Sequence, residues 1–318
     1  MSQQRAFSWP DRHQFALFLS HDVDQVYDRE LFSILGTLNQ LRRMWLRIDP
    51  RRCKECIKRL ARSVFRPKDP LVQFKRILSI ERYFSFRSTF YFLEDRTFNR
   101  YGGRYRYNDS TVKSIVRMVL DSGCEIGVHG SYYALDKPDV YRKQSESFEN
   151  AFGIKPIGIR NHYLRHTGIK SWAAQSQAGF KYDGSFGFRD QVGIRKGRLF
   201  PFFPSELTEN NTSIDRDFVA IPLTVMDSSL FRAMSLTPTK ALNKCKELVT
   251  EIERDGGVLS LLWHNNYFDE PEFADWERVY EEILAFLKSR DVWNATGAEI
   301  ASWWRTQKRR DSEHKENM

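Results

Sequence analysis

Short apolar, β-branched or aromatic runs recur along the chain at Phe15–Ser20, Ser88–Leu93, Cys124–Val128, Pro156–Arg160, Phe180–Asp183, Phe218–Leu223, Val258–Trp263 and Val292–Thr296. Stretches of helical period lie between most of them, at Leu71–Phe86, Ser110–Ser122, Pro138–Phe152, Gly168–Ala178, Pro238–Arg254 and Phe273–Ser289. Alternation of this kind predicts an α/β fold of parallel strands with outer helices. Asp109-Ser110 and Thr237-Pro238 fit helix starts, while Gly123, Gly179 and Gly256-Gly257 fit helix ends. Gly184 to Asp217 has no period and predicts a long loop region, which in a compact domain is usually functional or mobile. There is no internal repeat.

Composition narrows this picture. With 318 residues, 41% of them hydrophobic and 14% aromatic, the chain is neither disordered nor collagenous. The length suits one large α/β domain over residues 1–306 with an insertion, followed by a charged, aperiodic and flexible tail at 307–318. No apolar run approaches the roughly 20 residues of a membrane span. The first residues carry no leader pattern either, so a cytoplasmic location is expected. Four scattered cysteines do not make a disulfide framework. Cys53-Lys-Glu-Cys56 lacks the second ligand pair that a closed zinc site needs, and reduced, mostly buried thiols are expected.

The charge is concentrated. Between Arg29 and Lys68 there are 12 basic and 3 acidic residues, an excess equal to the +9 of the whole chain. Apolar residues at helical spacing and a break at Asp49-Pro50 predict two amphipathic helices inserted after the first strand. Such a surface suits an anionic membrane leaflet, a polyanionic glycan, or simply solvent. No nucleic-acid module accompanies it, and no specific nucleic-acid binding is expected.

Candidate chemistry gathers where strands end. The first strand runs into His21-Asp22-Val23-Asp24, the third into Gly127-Val128-His129, the fourth into Arg160-Asn161-His162-Tyr163, and a late one into Leu262-Trp263-His264. In an extended chain, residues two apart face the same way, so Asp22 and Asp24 share a face that His21 does not. Acidic pairs at strand ends also cap helices, and a lone His129 is equally read as a hydrogen-bonded core imidazole. Placed together on one rim, these carboxylates and imidazoles form a ligand set for zinc and its neighbours.

With these motifs in this order, the sequence resembles the NodB-type polysaccharide deacetylases, carbohydrate esterase family 4 in the broad sense. The resemblance runs from about Phe15 to Thr296. It rests on Ser-His-Asp-Val-Asp24, Ser88-Thr-Phe-Tyr-Phe92, Gly123-Cys-Glu-Ile-Gly-Val-His129, Gly158-Ile-Arg-Asn-His-Tyr163 and Leu262-Trp-His264. It implies a distorted (β/α)7-type barrel, with the basic helical insertion following the first strand. The implied activity is metal-dependent hydrolysis of an acetyl group, normally N-acetyl, on a sugar in a polysaccharide or its cytoplasmic precursor. By the same resemblance Asp22 is the catalytic base, Asp24 and His129 are ligands of a divalent metal such as zinc, and His264 is the catalytic acid. Arg160 braces the base, Tyr163 offers its backbone N–H to the oxyanion, and Asp183 is the candidate acid that orients His264.

The family commonly carries a second metal histidine four residues after the first, but here that residue is Tyr133. The proline of the family's Arg-x-Pro-Tyr is His162. His162 is the expected replacement ligand, with a structural hydrogen-bonded role as the alternative and His166 as a weaker substitute. Trp263, Trp293, Tyr132, Tyr133 and Phe188 are candidates to stack on sugar rings. A precursor substrate, together with the basic insertion, would place the protein peripherally at the inner membrane face. Two rival readings remain: a catalytically silent glycan-binding protein on the same fold, and a cyclic-amide hydrolase.

Overall fold

The structure, a computed structural model, describes residues 8–26, 69–94, 101, 105–208 and 213–316. The expected basic insertion at 29–68, with Cys53 and Cys56, lies outside the described residues. Nine parallel strands form one sheet: β1 (Phe15–Val23), β2 (Ser88–Phe92), β3 (Glu125–Gly130), β4 (Gly158–Asn161), β5 (Tyr182–Asp183), β6 (Val219–Ala220), β7 (Val225–Met226), β8 (Val258–Leu262) and β9 (Val292–Asn294). The order is β6-β5-β4-β3-β2-β1-β8-β7, with β9 also paired to β1. Among the described residues the α-helices are α1 (Leu71–Tyr83), α2 (Ser110–Asp121), α3 (Pro138–Phe152), α4 (Ile169–Gln177), α5 (Pro238–Asp255), α6 (Ala274–Lys288) and α7 (Gly297–Glu316). The parallel sheet with outer helices is the α/β architecture that the sequence predicts.

Helix ends carry the expected local chemistry. Thr237 accepts from the Lys240 N–H ahead of α5, and Gly256, at φ 81°, closes that helix in the left-handed region glycine favours.

Strand alternation sorts side chains into two layers. Phe15, Leu17 and Leu19 of β1 join the large cluster between sheet and helices, whereas Ala16 and Phe18 point into the barrel with Trp9, Tyr91, Tyr182 and Val258. Each fully buried side chain of this size stabilises the fold by about 1.5–3 kcal/mol. Gly158 belongs to the interior row, where an added Cβ would lie 2.2 Å from the Tyr182 ring. The interior is therefore packed to its middle, and only its upper rim is open to chemistry.

Helix α7, which the hydrophobic pattern did not reveal, closes the opposite end. Glu125, at the start of β3, accepts from the Ala298 N–H at 3.0 Å and from Thr89 and Tyr182, a carboxylate at a helix N-terminus. Burial nevertheless pushes its pKa up. Ile300 and Ala301 continue the interior cluster.

Residues from Gln307 onward, expected as a flexible tail, are helical as far as Glu316. Lys308 pairs with Glu206 at 2.6 Å and Arg309 with Asp217 at 2.7 Å, which ties the last turns to the long loop. Cys124 and Cys245 are buried and unpaired, and burial raises their thiols to about 11 and about 12. Among the described residues no helix is long and apolar enough to cross a membrane.

Candidate active site

The interior row of side chains becomes polar toward the C-terminal ends of the strands. Above Phe18, the next inward residue of β1 is Ser20, then Asp22, then Asp24. Arg160 of β4 reaches this row fully buried. Its Nη1 donates to Ser20 Oγ at 2.7 Å and to Asp22 Oδ1 at 3.3 Å, and its Nε donates to the Gly184 carbonyl at 2.9 Å. Its guanidinium carbon sits 4.7 Å from the Tyr91 ring centroid. One Asp22 oxygen is thus tied to a fixed cation, and the other lies 3.6 Å from His129 Nε2.

His21 points the other way, as alternation requires. It is buried between the Trp263 carbonyl at 2.7 Å and Glu81 at 2.8 Å, and Glu81 also accepts from Tyr280 and Ser88.

Three donor atoms converge beside Asp22. Asp24 Oδ1 lies 3.3 Å from His129 Nε2 and 3.3 Å from His162 Nδ1, and the two imidazole nitrogens are 3.0 Å apart. A tetrahedral zinc site with bonds of about 2.0–2.1 Å has ligand–ligand edges of about 3.3 Å, and an octahedral site with the same bonds has edges of about 2.9 Å. The cluster therefore fits a divalent ion without choosing among them. Asp24 Oδ1 is buried and receives no hydrogen bond, which a cation between the three atoms would remedy. Burial pushes the Asp24 carboxyl up, but the neighbouring imidazoles of His162, His129 and His264 hold it well below the usual range. His162 opens a short turn directly after β4, so Arg160 and His162 reach the same rim from consecutive inward positions. Tyr133, the position where the second histidine was missing, is exposed.

On the far side stands His264. Its Nδ1 lies 2.8 Å and 3.0 Å from the two oxygens of Asp227, which also accepts from the His264 backbone N–H. Its Nε2 points into the site, 3.8 Å from Asp24 Oδ2. Burial alone would lower its pKa, but the charge and hydrogen bond of Asp227, followed by the charges of Asp24 and Asp22, raise it to about 10. The pairing with Asp227 thus favours the protonated imidazole.

Two expected roles are corrected. Asp183 does not orient His264. It ends β5, and is held by Trp172 at 3.1 Å, Gln175 at 3.2 Å and Ser185, with His166 Nε2 3.8 Å away. The partner is Asp227, which sequence reasoning missed because it follows a strand only two residues long. Trp263 does not stack on a ligand. It faces outward from β8, fully buried between Phe231 and Tyr280. Trp263→Ala is expected to cost about 3–5 kcal/mol of stability, read by urea unfolding; a substrate-stacking role would instead show as a raised KM at unchanged stability.

His166 lies at the cavity edge, with Nδ1 accepting from the Gly168 N–H, and is not in the donor cluster. Of the other aromatic candidates, Phe188 lines the cavity, and Trp293 packs against Trp9 at the closed end of the barrel. Tyr132 stacks on Tyr101 at 3.9 Å, with Tyr133 and Tyr163 edge-on around them. Tyr163 and Leu164 have φ of 59° and 48°, a conformation costing about 1 kcal/mol or more per residue, of a kind that clusters at functional sites.

Asp22, Asp24, His162, Tyr163 and His264 all border one open cavity of about 1000 Å³, the size of a small-molecule site. His129 lies buried beneath it.

No family model and no curated protein match this sequence. Solved structures do match. A Mycobacterium smegmatis protein assigned as a polysaccharide deacetylase superposes with a TM-score of 0.61 at 22% identity, over 95% of this chain and 94% of that one. Puue allantoinase superposes with a TM-score of 0.62 at 14% identity, over 94% and 92%. At such identities the likeness is one of fold. The chain thus has the NodB-type polysaccharide deacetylase fold, a distorted (β/α)7 barrel.

Proposed function

We propose that this chain is a metal-dependent hydrolase that removes an acetyl group, in the first place N-acetyl, from a sugar. The observation that carries the reading is the convergence of Asp24, His129 and His162 between a braced carboxylate, Asp22, and an imidazole paired with Asp227, His264. Asp24, His129 and His162 would hold the ion, with zinc the first candidate because one carboxylate and two imidazoles leaving a position open is a usual catalytic zinc set. A divalent ion supplies charge that polarises an acyl oxygen and acidifies water toward about pH 7.

The chain's own residues do the rest. Asp22, fixed by Arg160 and Ser20, accepts the proton lost as water attacks the acyl carbon. The backbone N–H of Tyr163 is the candidate donor to the oxygen that becomes negative. His264 gives its proton to the nitrogen as the C–N bond breaks, and Asp227 keeps it charged until then. One water and one N-acetyl group become acetate and an amine. A protein with this fold is named an allantoinase, so cyclic-amide hydrolysis is the second reading to be tested.

The experiment is to incubate the zinc-loaded full chain with N-acetylated amino sugars and oligosaccharides and with a cyclic ureide. Acetate released in step with new primary amine supports the proposal. Ring opening without acetate release overturns it, as does binding of glycans with neither product.

A further inference from the structure

The cavity wall is cationic in a way the proposed chemistry does not use. Four arginines border it: Arg165, Arg189, Arg195 and Arg232. Arg165 is already committed, since it donates to the Tyr132 carbonyl and lies 4.0 Å from the Tyr132 ring centroid. None of the four has an ion-pair partner among the described residues, and Arg189 and Arg232 are exposed.

Their placement brackets the donor cluster. Arg189 lies 5.9 Å from the ring of Tyr163, which packs on His162 at 4.5 Å. Arg232 lies 5.4 Å from the ring of Tyr267, which packs on His264 at 5.8 Å. Arg195 is half-buried; its Nη1 donates to the Gly187 carbonyl at 2.8 Å, and its guanidinium lies 4.8 Å from the Phe186 ring. The segments are joined, because Ser229 Oγ donates to the Arg189 carbonyl and so ties the long loop to the turn that carries Arg232.

An exposed arginine alone is ordinary surface. Here three guanidiniums line one cavity, each with its central carbon 4.8–5.9 Å from an aromatic ring centroid, and the acids on the floor are taken up by Arg160 and the histidines. Asp190, the acid on the same wall, pairs with none of them. An uncharged glycan gains little from such a wall, whereas a phosphate-class anion offers oxygens that arginine's donor fork matches.

We propose that Arg189, Arg195 and Arg232 form an anion subsite that binds a phosphate or diphosphate group carried by the acylated sugar. This rests on the deacetylase reading for its sugar, but the anion subsite itself is testable without turnover. Two sources share the chemistry: a sugar linked to a nucleoside diphosphate and a sugar linked to a lipid diphosphate.

Inorganic pyrophosphate titrated calorimetrically into the full chain should bind, with Arg189→Ala and Arg232→Ala each weakening it about tenfold. Arg→Lys at each site should weaken it less, since the charge remains. If the arginine variants bind as the unaltered protein does, and binding is lost instead in Asp24→Ala, the phosphate sits at the metal site and the subsite is overturned.

In turnover, kcat/KM for an acetylated amino sugar bearing a diphosphate should exceed that for its uncharged counterpart, and the ratio should fall about tenfold in each arginine-to-alanine variant. A nucleotide-linked substrate in solution and a lipid-linked one in mixed micelles separate the two sources, and preference for either over the uncharged sugar supports the proposal. Equal turnover of charged and uncharged sugars, insensitive to the arginines, overturns it while leaving the deacetylase reading intact. Arginine-dependent pyrophosphate binding with no acetate release from any sugar would do the reverse.

Discussion

Asp22→Asn lowers acetate release by about 10²–10⁴-fold, the range for loss of a positioned general base, while the bound metal stays at the level of the unaltered protein. The two effects separate because Asp22 is not in the donor cluster. Asp24, His129 and His162 form it, and Asp22 stands beside it with one oxygen held by Arg160. Asparagine keeps the shape and can still accept from Arg160, so it removes the basic oxygen without leaving a void. The rate of acetate production and the metal content of the same preparation are the two readouts. A variant that keeps most of its activity would take the base away from Asp22, and one that loses its metal would make Asp22 a ligand.

The second large effect belongs to the pair on the opposite side. His264→Ala is expected to lower kcat by about 10²–10⁴-fold, and Asp227→Asn by about 10–100-fold, the usual cost of removing a group that orients a site histidine. Their pH dependence distinguishes them. In the unaltered protein Asp227, Asp24 and Asp22 oppose the effect of burial and raise the His264 pKa to about 10. An acid catalyst works only below its pKa, so activity falls as pH rises through a value no higher than that. A cation beside Asp24 moves the fall to lower pH by repulsion. Asp227→Asn removes the largest stabilising charge, so the alkaline fall should move further down in pH, with little change on the acid side. An alkaline limb that does not move would mean that another group supplies the proton.

How these residues relate to the sequence follows from which contacts are local. Asp22 and Asp24 were legible because alternation along an extended chain needs only the strand itself, and β1 opens with the unbroken apolar run Phe15-Ala-Leu-Phe-Leu19. Alternation also assigns Trp263 to the face opposite His264, so its burial against Tyr280 was available from the same rule that paired the aspartates.

Asp227 was not legible. Val225 and Met226 are too short a run to mark a strand, and only the pairing of Met226 with Leu262 brings the next residue beside Trp263 and His264. Asp183 had the more visible strand-end setting, yet β5 is separated from β8 by four strands in the sheet order. Long-range neighbours of this kind are set by the closing of the sheet, not by any local pattern. Helix α7 escaped notice because its tryptophans and charges give little helical period, and what holds it is the Glu125 carboxylate at its first turn together with Ile300 in the barrel interior.

His162 lies between these cases. Its two-residue spacing from Arg160 pointed toward the same rim, and the structure puts its Nδ1 beside Asp24 and His129 although the chain has already left the strand. Tyr133, where the resemblance implied a second histidine, is exposed, and the second imidazole of the cluster comes instead from the turn after β4.

The most direct test of the account is the metal stoichiometry and affinity of the purified full chain, measured by elemental analysis and zinc titration beside His162→Ala. The account predicts about one divalent ion per chain in the unaltered protein, and binding weakened by about 100-fold or more in the variant, as expected for loss of one of three protein ligands. A chain that takes up no ion when offered a saturating supply, or a variant that binds it as tightly as before, would contradict it.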